Sequence, residues 1–433
     1  MDTQSFAMLG GPSKLFVETT TRCNLGCIMC VKQTCDHAIV DGDMSLATFA
    51  ALEPAFHGLN ALVLNGVGEP LLNQNLEVFI RKAKSSMPKD SWIGFQSNGK
   101  LLDEARALSL LEAGLDRICI SIDSISHDNF RRVRDGGELD DIHDAFSALT
   151  SAKLRTGSSD FKIGVEFVAM EGNLHELPEA LAWAARRGAS FALVTHVLPY
   201  DAQHAVEAVY GHCTDEALAL FDKWKAEAER EGLDIYRYFE ISMKYSKTPV
   251  ELRLMGLVDA MKAEAEASDI SLNLKKLLGH DHRQSAEVAG IFDTARAVAE
   301  EFGMELKLPE VLLKEKRSCT FIEDGGAFVA WDGSISPCYF LWHQYTCFAS
   351  GWTQQVQPKV FGNVNQRDIL DIWNEPGFRA FRSGATAYDY AHCASCSLAP
   401  CDYVQTGNFE QDCHIREVPC GACLWCAGIF QCM

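Results

Sequence analysis

Six short apolar runs alternate with helix-like stretches over residues 1–200, and this alternation constrains the fold more than any other feature. The runs are KLFVE (14–18), ALVLNG (61–66), WIGFQSNG (92–99), RICISID (117–123), KIGVEFVAM (162–170) and FALVTHVLPY (191–200). Between them NLEVFIRKAKSS (75–86), DEARALSLLEAG (103–114) and ELPEALAWAARRG (176–188) carry helical periodicity. Repeated strand–helix units imply a parallel sheet with right-handed crossovers. Near-continuous apolar strands imply cover on both faces. Six units are too few for a closed eight-fold barrel. The expected fold is α/β, a partial (βα)6 barrel, with its chemistry at the C-terminal strand ends.

The pattern changes after residue 200. TDEALALFDKWKAEAEREG, SLNLKKLLG and EVAGIFDTARAVAEEFG read as amphipathic helices within an insertion spanning 201–303. This segment packs on the barrel or acts as a substrate lid. MELKLPEV (304–311) reads as a return strand within a linker, 304–318. From 319 to 433 the chain is loop-rich, with cysteine, glycine and aromatic residues, the composition of a domain held by metal.

Cysteine usage sharpens this division. The chain has 433 residues and 17 cysteines, of which 23, 27 and 30 fall near one end and eleven lie from 319 onward. The start, MDTQSFAMLGGPSK, lacks a basic region followed by an apolar one, and no apolar run is long enough to span a bilayer. A cytoplasmic location follows as the expectation, and there thiols stay reduced, so a disulfide framework is a poor reading. The formal net charge of -20 disfavours nucleic acid and anionic membranes as partners.

Cys23, Cys27 and Cys30 form C-x3-C-x2-C directly after the first strand. Three thiolates on a tight loop suit three corners of a 4Fe–4S cubane and leave one iron for a substrate. A structural zinc is the rival, and it needs a fourth ligand such as Cys35 or His37.

Three further motifs fall after the next three strands: GVGEP (66–70), SNG (97–99) and SID (121–123). With the cysteine loop they resemble the radical S-adenosylmethionine (SAM) enzymes over roughly 13–200. The resemblance implies a SAM-binding cluster on Cys23, Cys27 and Cys30, and cleavage of SAM to a 5′-deoxyadenosyl radical. It further implies a SAM pocket formed by Gly66, Gly68, Glu69, Pro70, Ser97, Asn98, Ser121 and Asp123, with Ser121 and Asp123 on the ribose hydroxyls. Gly66 and Gly68 would let backbone approach the ligand. Cys35 becomes a bystander, since a fourth thiolate would block the open iron. Val67 stands where many relatives have glycine.

C319-x13-G333-x4-C338, followed by C393-x2-C396-x4-C401, resembles the SPASM domain, which implies two auxiliary 4Fe–4S clusters. By order along the chain, Cys319 and Cys338 would serve one cluster, with Cys413. Cys393, Cys396 and Cys401 would serve the other, with Cys432 or Cys423. Cys420 belongs to the same ligand pool, and Cys347 and Cys426 are either added ligands or buried thiols. The tail VPCGACLWCAGIFQCM (418–433), with WDGSISPC (331–338), DMSLATF (43–49) and VTHVLPY (194–200), resembles the maturases linked to tungsten- or molybdenum-pterin aldehyde oxidoreductases. Trp425 reads as a packing anchor over a cluster. Glu166 and His196 could face the barrel mouth but read better as satisfied strand-end polar residues.

The resemblances imply three 4Fe–4S clusters, SAM, a protein or peptide substrate, and a reductant such as ferredoxin or flavodoxin. The alternatives are a peptide modifier that makes thioether or carbon–carbon crosslinks, and a non-catalytic iron–sulfur electron-transfer protein. The intact SAM motifs argue against the latter.

Overall fold

The computed structural model describes residues 8–34, 39–405 and 407–433, so Cys35 and His37 lie outside the described residues. All six expected strands form: β1 (Lys14–Val17), β2 (Ala61–Val63), β3 (Trp92–Ser97), β4 (Arg117–Ser121), β5 (Lys162–Ala169) and β6 (Ala189–His196). Each pairs in parallel with the next, in chain order. That is the arrangement expected of strands joined by helical crossovers.

Local chemistry sets the helix limits. The helix Glu104–Ala113 starts where the Asp103 side chain accepts the Arg106 amide, and stops at Gly114 in the left-handed region. Its neighbour Leu139–Thr156 has a capping box built by Glu138 and Asp141 and ends at Gly157. The apolar stripes of these helices meet strand residues such as Phe95, Ile120 and Phe167 in one core, all fully or almost fully buried. Among the described residues no helix is long and apolar enough to cross a membrane.

The sheet does not end with the barrel strands. β7 (Glu305–Lys307), the expected return strand, adds in parallel beside β6. At the other edge β8 (Gly326–Val329) pairs in parallel with β1, and β9 (Ser334–Ser336) and β12 (Gly362–Asn363) continue the sheet. Ten strands therefore share one sheet. The turn between β8 and β9 needs Gly333. Its φ is +88°, and a side chain there would press on Asn365 and Asn363. A separate antiparallel hairpin joins β10 (Tyr345–Ala349) to β11 (Trp352–Val356).

The residues after 319 are loop-rich, yet they build a second apolar core together with residues of the parallel strands. Phe321, Phe328 and Tyr339 pack around Phe16 of β1, with Phe16 and Phe321 stacked at 4.4 Å. The insertion is helical, led by Asp215–Arg230, Pro249–Ala267 and His282–Phe302, and has a further core around Phe221, Leu257 and Met261. Asn273 and Lys276 of the insertion donate to the carbonyls of Cys396 and Ala394, fastening it to the cysteine-rich region.

Candidate active site

A cavity of about 330 Å³ opens at the C-terminal ends of the parallel strands, within the size range of small-molecule sites. Cys23, Cys27 and Cys30 line it from the loop after β1. That loop is pinned by backbone bonds: Gly26 N to Asp135 O at 2.8 Å, Ile28 N to Val133 O at 3.1 Å, and Glu69 N to Arg22 O at 2.8 Å. Burial raises all three thiols, Cys30 to about 11. They therefore carry protons that metal loading must displace.

GVGEP packs against this loop. A methyl group on Gly68 would collide with the carbonyls of Thr20 and Arg22, and one on Gly66 would collide with Glu18. The close approach that these glycines allow is thus to the chain's own cysteine loop. Glu69 is buried and ties adjacent strand ends together. Its carboxylate accepts from Ser97 Oγ at 2.9 Å, Asn98 N at 2.8 Å and Leu71 N at 3.2 Å. Asn98 reaches back to Asn24 Oδ1 at 2.8 Å. The cysteine loop, GVGEP and SNG form one hydrogen-bonded unit.

Of the expected pocket residues, Gly66, Gly68, Glu69, Ser97, Asn98 and Ser121 line the cavity, whereas Pro70 and Asp123 do not. Pro70 begins a 3-10 turn behind the wall. Asp123 is fully buried; one oxygen accepts the Val168 amide at 2.7 Å and the other meets Arg134 Nη2 at 2.6 Å. It is engaged in that ion pair. Arg134 does line the cavity, with Nη1 3.9 Å from Cys27 Sγ. No sequence motif marked it; RVRDGG (132–137) follows the fourth strand but looks like an ordinary loop.

Glu166 and His196 both line the cavity. Burial, reinforced by the negative charge of Asp123 and opposed by Arg134, raises Glu166 to about 7, so it can hold or release a proton near neutrality. Burial lowers His196 to about 4. Its Nε2 donates to Glu310 O at 3.0 Å, and Nδ1 has no partner. Asn65 Oδ1 and Arg134 Nε, buried at the same wall, also lack partners among the described residues. Such atoms want a polar ligand. A guanidinium near Cys27 and Cys23 suits a group with a carboxylate, which fits SAM.

Nine of the cysteines from 319 onward sort into two cavities. Cys319, Cys338, Cys420 and Cys423 line a closed, almost wholly apolar one, together with Cys426. Cys393, Cys396, Cys401 and Cys413 line a more open one of about 320 Å³. Cys413 therefore sits with Cys393 rather than Cys319, and Cys423 with Cys319 rather than Cys393. The chain order misleads because the 413–423 segment returns across the fold. The Ala394 amide bonds Gly421 O at 3.1 Å, bringing the two sets side by side. Each cavity offers the four thiols that a cubane takes. Among the described residues no three His, Cys, Asp or Glu side chains converge on a single-ion site. Cys426 Sγ turns to the carbonyl of Cys423 at 3.1 Å, Cys347 is buried in β10, and Cys432 lines the large cavity instead of either cysteine set. Trp425 lines both the large cavity and the closed one, so it is a shared wall.

Comparison with known proteins matches residues 17–183 to the radical SAM superfamily and 319–397 to the SPASM iron–sulfur cluster-binding domain. The chain carries both domains and belongs to the radical SAM enzymes, which implies SAM and iron–sulfur clusters as its cofactors. More particularly, it is similar to the tungsten-containing aldehyde ferredoxin oxidoreductase cofactor-modifying protein of Pyrococcus furiosus, with 26% identity over 430 residues and 96% of each chain covered. GTP 3′,8-cyclase of Sinorhizobium medicae is 29% identical over 185 residues, 42% of this chain and 50% of that one. The fold resembles Streptococcus suis SuiB bound to S-adenosylmethionine, with a TM-score of 0.51 at 12% identity, over 91% of this chain and 73% of that one.

Proposed function

We propose that this enzyme is a maturase that modifies a partner protein or its cofactor, and that the partner is a tungsten- or molybdenum-pterin oxidoreductase. The observation that carries the reading is similarity along the whole chain to the Pyrococcus furiosus cofactor-modifying protein. The cyclase match covers under half of the chain.

In this reading Cys23, Cys27 and Cys30 hold the SAM-binding 4Fe–4S cluster. Cys319, Cys338, Cys420 and Cys423 hold one auxiliary cluster, and Cys393, Cys396, Cys401 and Cys413 the other. With SAM bound at the first cluster and one electron from a ferredoxin or flavodoxin, the site would gain the chemistry of hydrogen-atom abstraction from a substrate. The chain's own residues position and enclose. Glu69, Ser97 and Asn98 hold the cysteine loop against its neighbours. Arg134 Nε offers a donor to a carboxylate, and Ser121, Asn65 Oδ1 and His196 Nδ1 offer further polar atoms. Trp425, Tyr339 and Phe430 wall the pocket against water.

The test is production of the co-encoded oxidoreductase with and without this chain. The expected result is a mass change in its pterin cofactor or polypeptide that appears only with the active chain and not with Cys27→Ala. A short cysteine-containing precursor peptide modified in its place would make the enzyme a peptide modifier.

A further inference from the structure

One thiol belongs to none of the three ligand groups, though it lies near enough to Cys319 and Cys338 for their charges to interact. Cys432 lines the large cavity, alongside Glu166, His196 and the cysteine loop, and lines neither auxiliary cavity. Its position is built into the fold. The segment 426–428 runs beside 310–318, with Glu310, Lys314 and Ser318 amides bonding the carbonyls of Gly428, Ala427 and Cys426. Then the chain runs from the C-terminal end of β6 toward the N-terminal end of β1. The Gln431 amide bonds Thr195 Oγ1 of β6 at 3.2 Å, and Lys14 Nζ of β1 bonds Met433 O at 2.6 Å. Cys432 is held between these two anchors.

We propose that Cys432 is a catalytic residue, the hydrogen-atom donor that quenches a carbon radical in this pocket. The proposal rests on the radical reading of the site. Independent of the thiol, the same cavity holds three buried polar atoms without partners, Asn65 Oδ1, Arg134 Nε and His196 Nδ1, so a ligand belongs there. The other cysteines outside the ligand groups do not compete. Among the described residues Cys119, Cys213, Cys347 and Cys426 do not line this cavity.

The chemistry follows from bond strength. A thiol S–H bond is weaker than an alkyl C–H bond, so transfer of hydrogen from sulfur to a carbon radical runs downhill. The S–H bond breaks homolytically, a C–H bond forms, and sulfur keeps one unpaired electron. One electron from a reduced iron–sulfur centre and one proton restore the thiol. An ordinary thiol, with a pKa of about 8.5, keeps its proton on sulfur at neutral pH. A thiolate would have no hydrogen atom to give.

The test needs no substrate. Wild-type and Cys432→Ser proteins are reconstituted anaerobically with iron and sulfide, freed of small thiols, exchanged into D2O, and turned over with SAM and dithionite. With no substrate added, the nearest donor in reach quenches the radical, and a solvent-exchanged thiol delivers deuterium. The measurement is the mass of whatever 5′-deoxyadenosine each protein releases. Wild type is expected to give singly deuterated nucleoside, and Cys432→Ser unlabelled nucleoside, because an alcohol O–H bond is too strong to donate. Iron content is the second readout and is expected to match wild type. Deuterium persisting in Cys432→Ser, or absent from wild type, overturns the proposal. Loss of about four irons in the variant also overturns it, by making Cys432 a cluster ligand. If wild type releases no 5′-deoxyadenosine at all, the radical reading falls with the proposal.

Discussion

At the level of single residues Asp123 is the one whose surroundings say most. A carboxylate after the fourth strand reads as a ribose contact, yet here it neutralises a buried guanidinium. Asp123→Asn leaves Arg134 charged and unpaired in the interior, which costs about 3–5 kcal/mol. Denaturant unfolding is expected to report a loss of that order. A weaker affinity for SAM with unchanged stability would return Asp123 to the ribose. Glu166 behaves in the opposite sense. Its folded value of about 7 lies above the ordinary 4.5, so its protonated form favours the fold. Stability from this group is full below about 4.5 and is lost as pH rises through about 7. Thermal midpoints of Glu166→Gln should lose less than wild type across that interval; parallel curves would show that Glu166 is solvated. Neither behaviour was legible in the sequence. Arg134 lies far along the chain from Cys27, and only the crossover brings the two together.

Among the elements, the first four strand–loop units were legible because the period of apolar residues and the turn motifs coincide. The strand ends carry Cys23–Cys30, Gly66–Glu69, Ser97–Asn98 and Ser121 to one cavity. The role of Gly68 was not legible, because the atoms it makes room for belong to Thr20 and Arg22. Gly68→Ala is expected to displace the cysteine loop and remove about four irons while sparing both auxiliary sets. An iron count with Mössbauer spectroscopy distinguishes this from general unfolding. The helix Pro249–Ala267 also escaped the reading. Its Pro at the first turn and Thr248–Glu251 capping box were visible signals, but its apolar residues are diluted by glycine and acidic residues.

The assembly of the whole molecule decides which cysteines meet. Order along the chain puts Cys413 with Cys319 and Cys338, and Cys432 or Cys423 with Cys393, Cys396 and Cys401, whereas Cys413 lines the cavity of Cys393 and Cys423 that of Cys319. The segment after 401 crosses back through the fold, and no local pattern encodes that return. Cys413→Ala is expected to impair the cluster of Cys393, Cys396 and Cys401, while Cys347→Ala leaves iron content unchanged. Loss of the other auxiliary cluster in Cys413→Ala would restore the order read from spacing. The acidic balance, by contrast, was plain from composition, with 59 Asp and Glu against 39 Lys and Arg.

The continuous sheet has a consequence for synthesis. β1, which leads into the Cys23–Cys30 loop, has β2 on one side and β8 on the other. Its second neighbour emerges from the ribosome some three hundred residues later. Until then a buried, apolar strand presents a bare hydrogen-bonding edge, the kind of edge that invites pairing with other chains. Such non-local pairing is slow to close. The cysteine loop therefore acquires its final support only after most of the chain has been made, and chaperones have reason to guard the nascent first half.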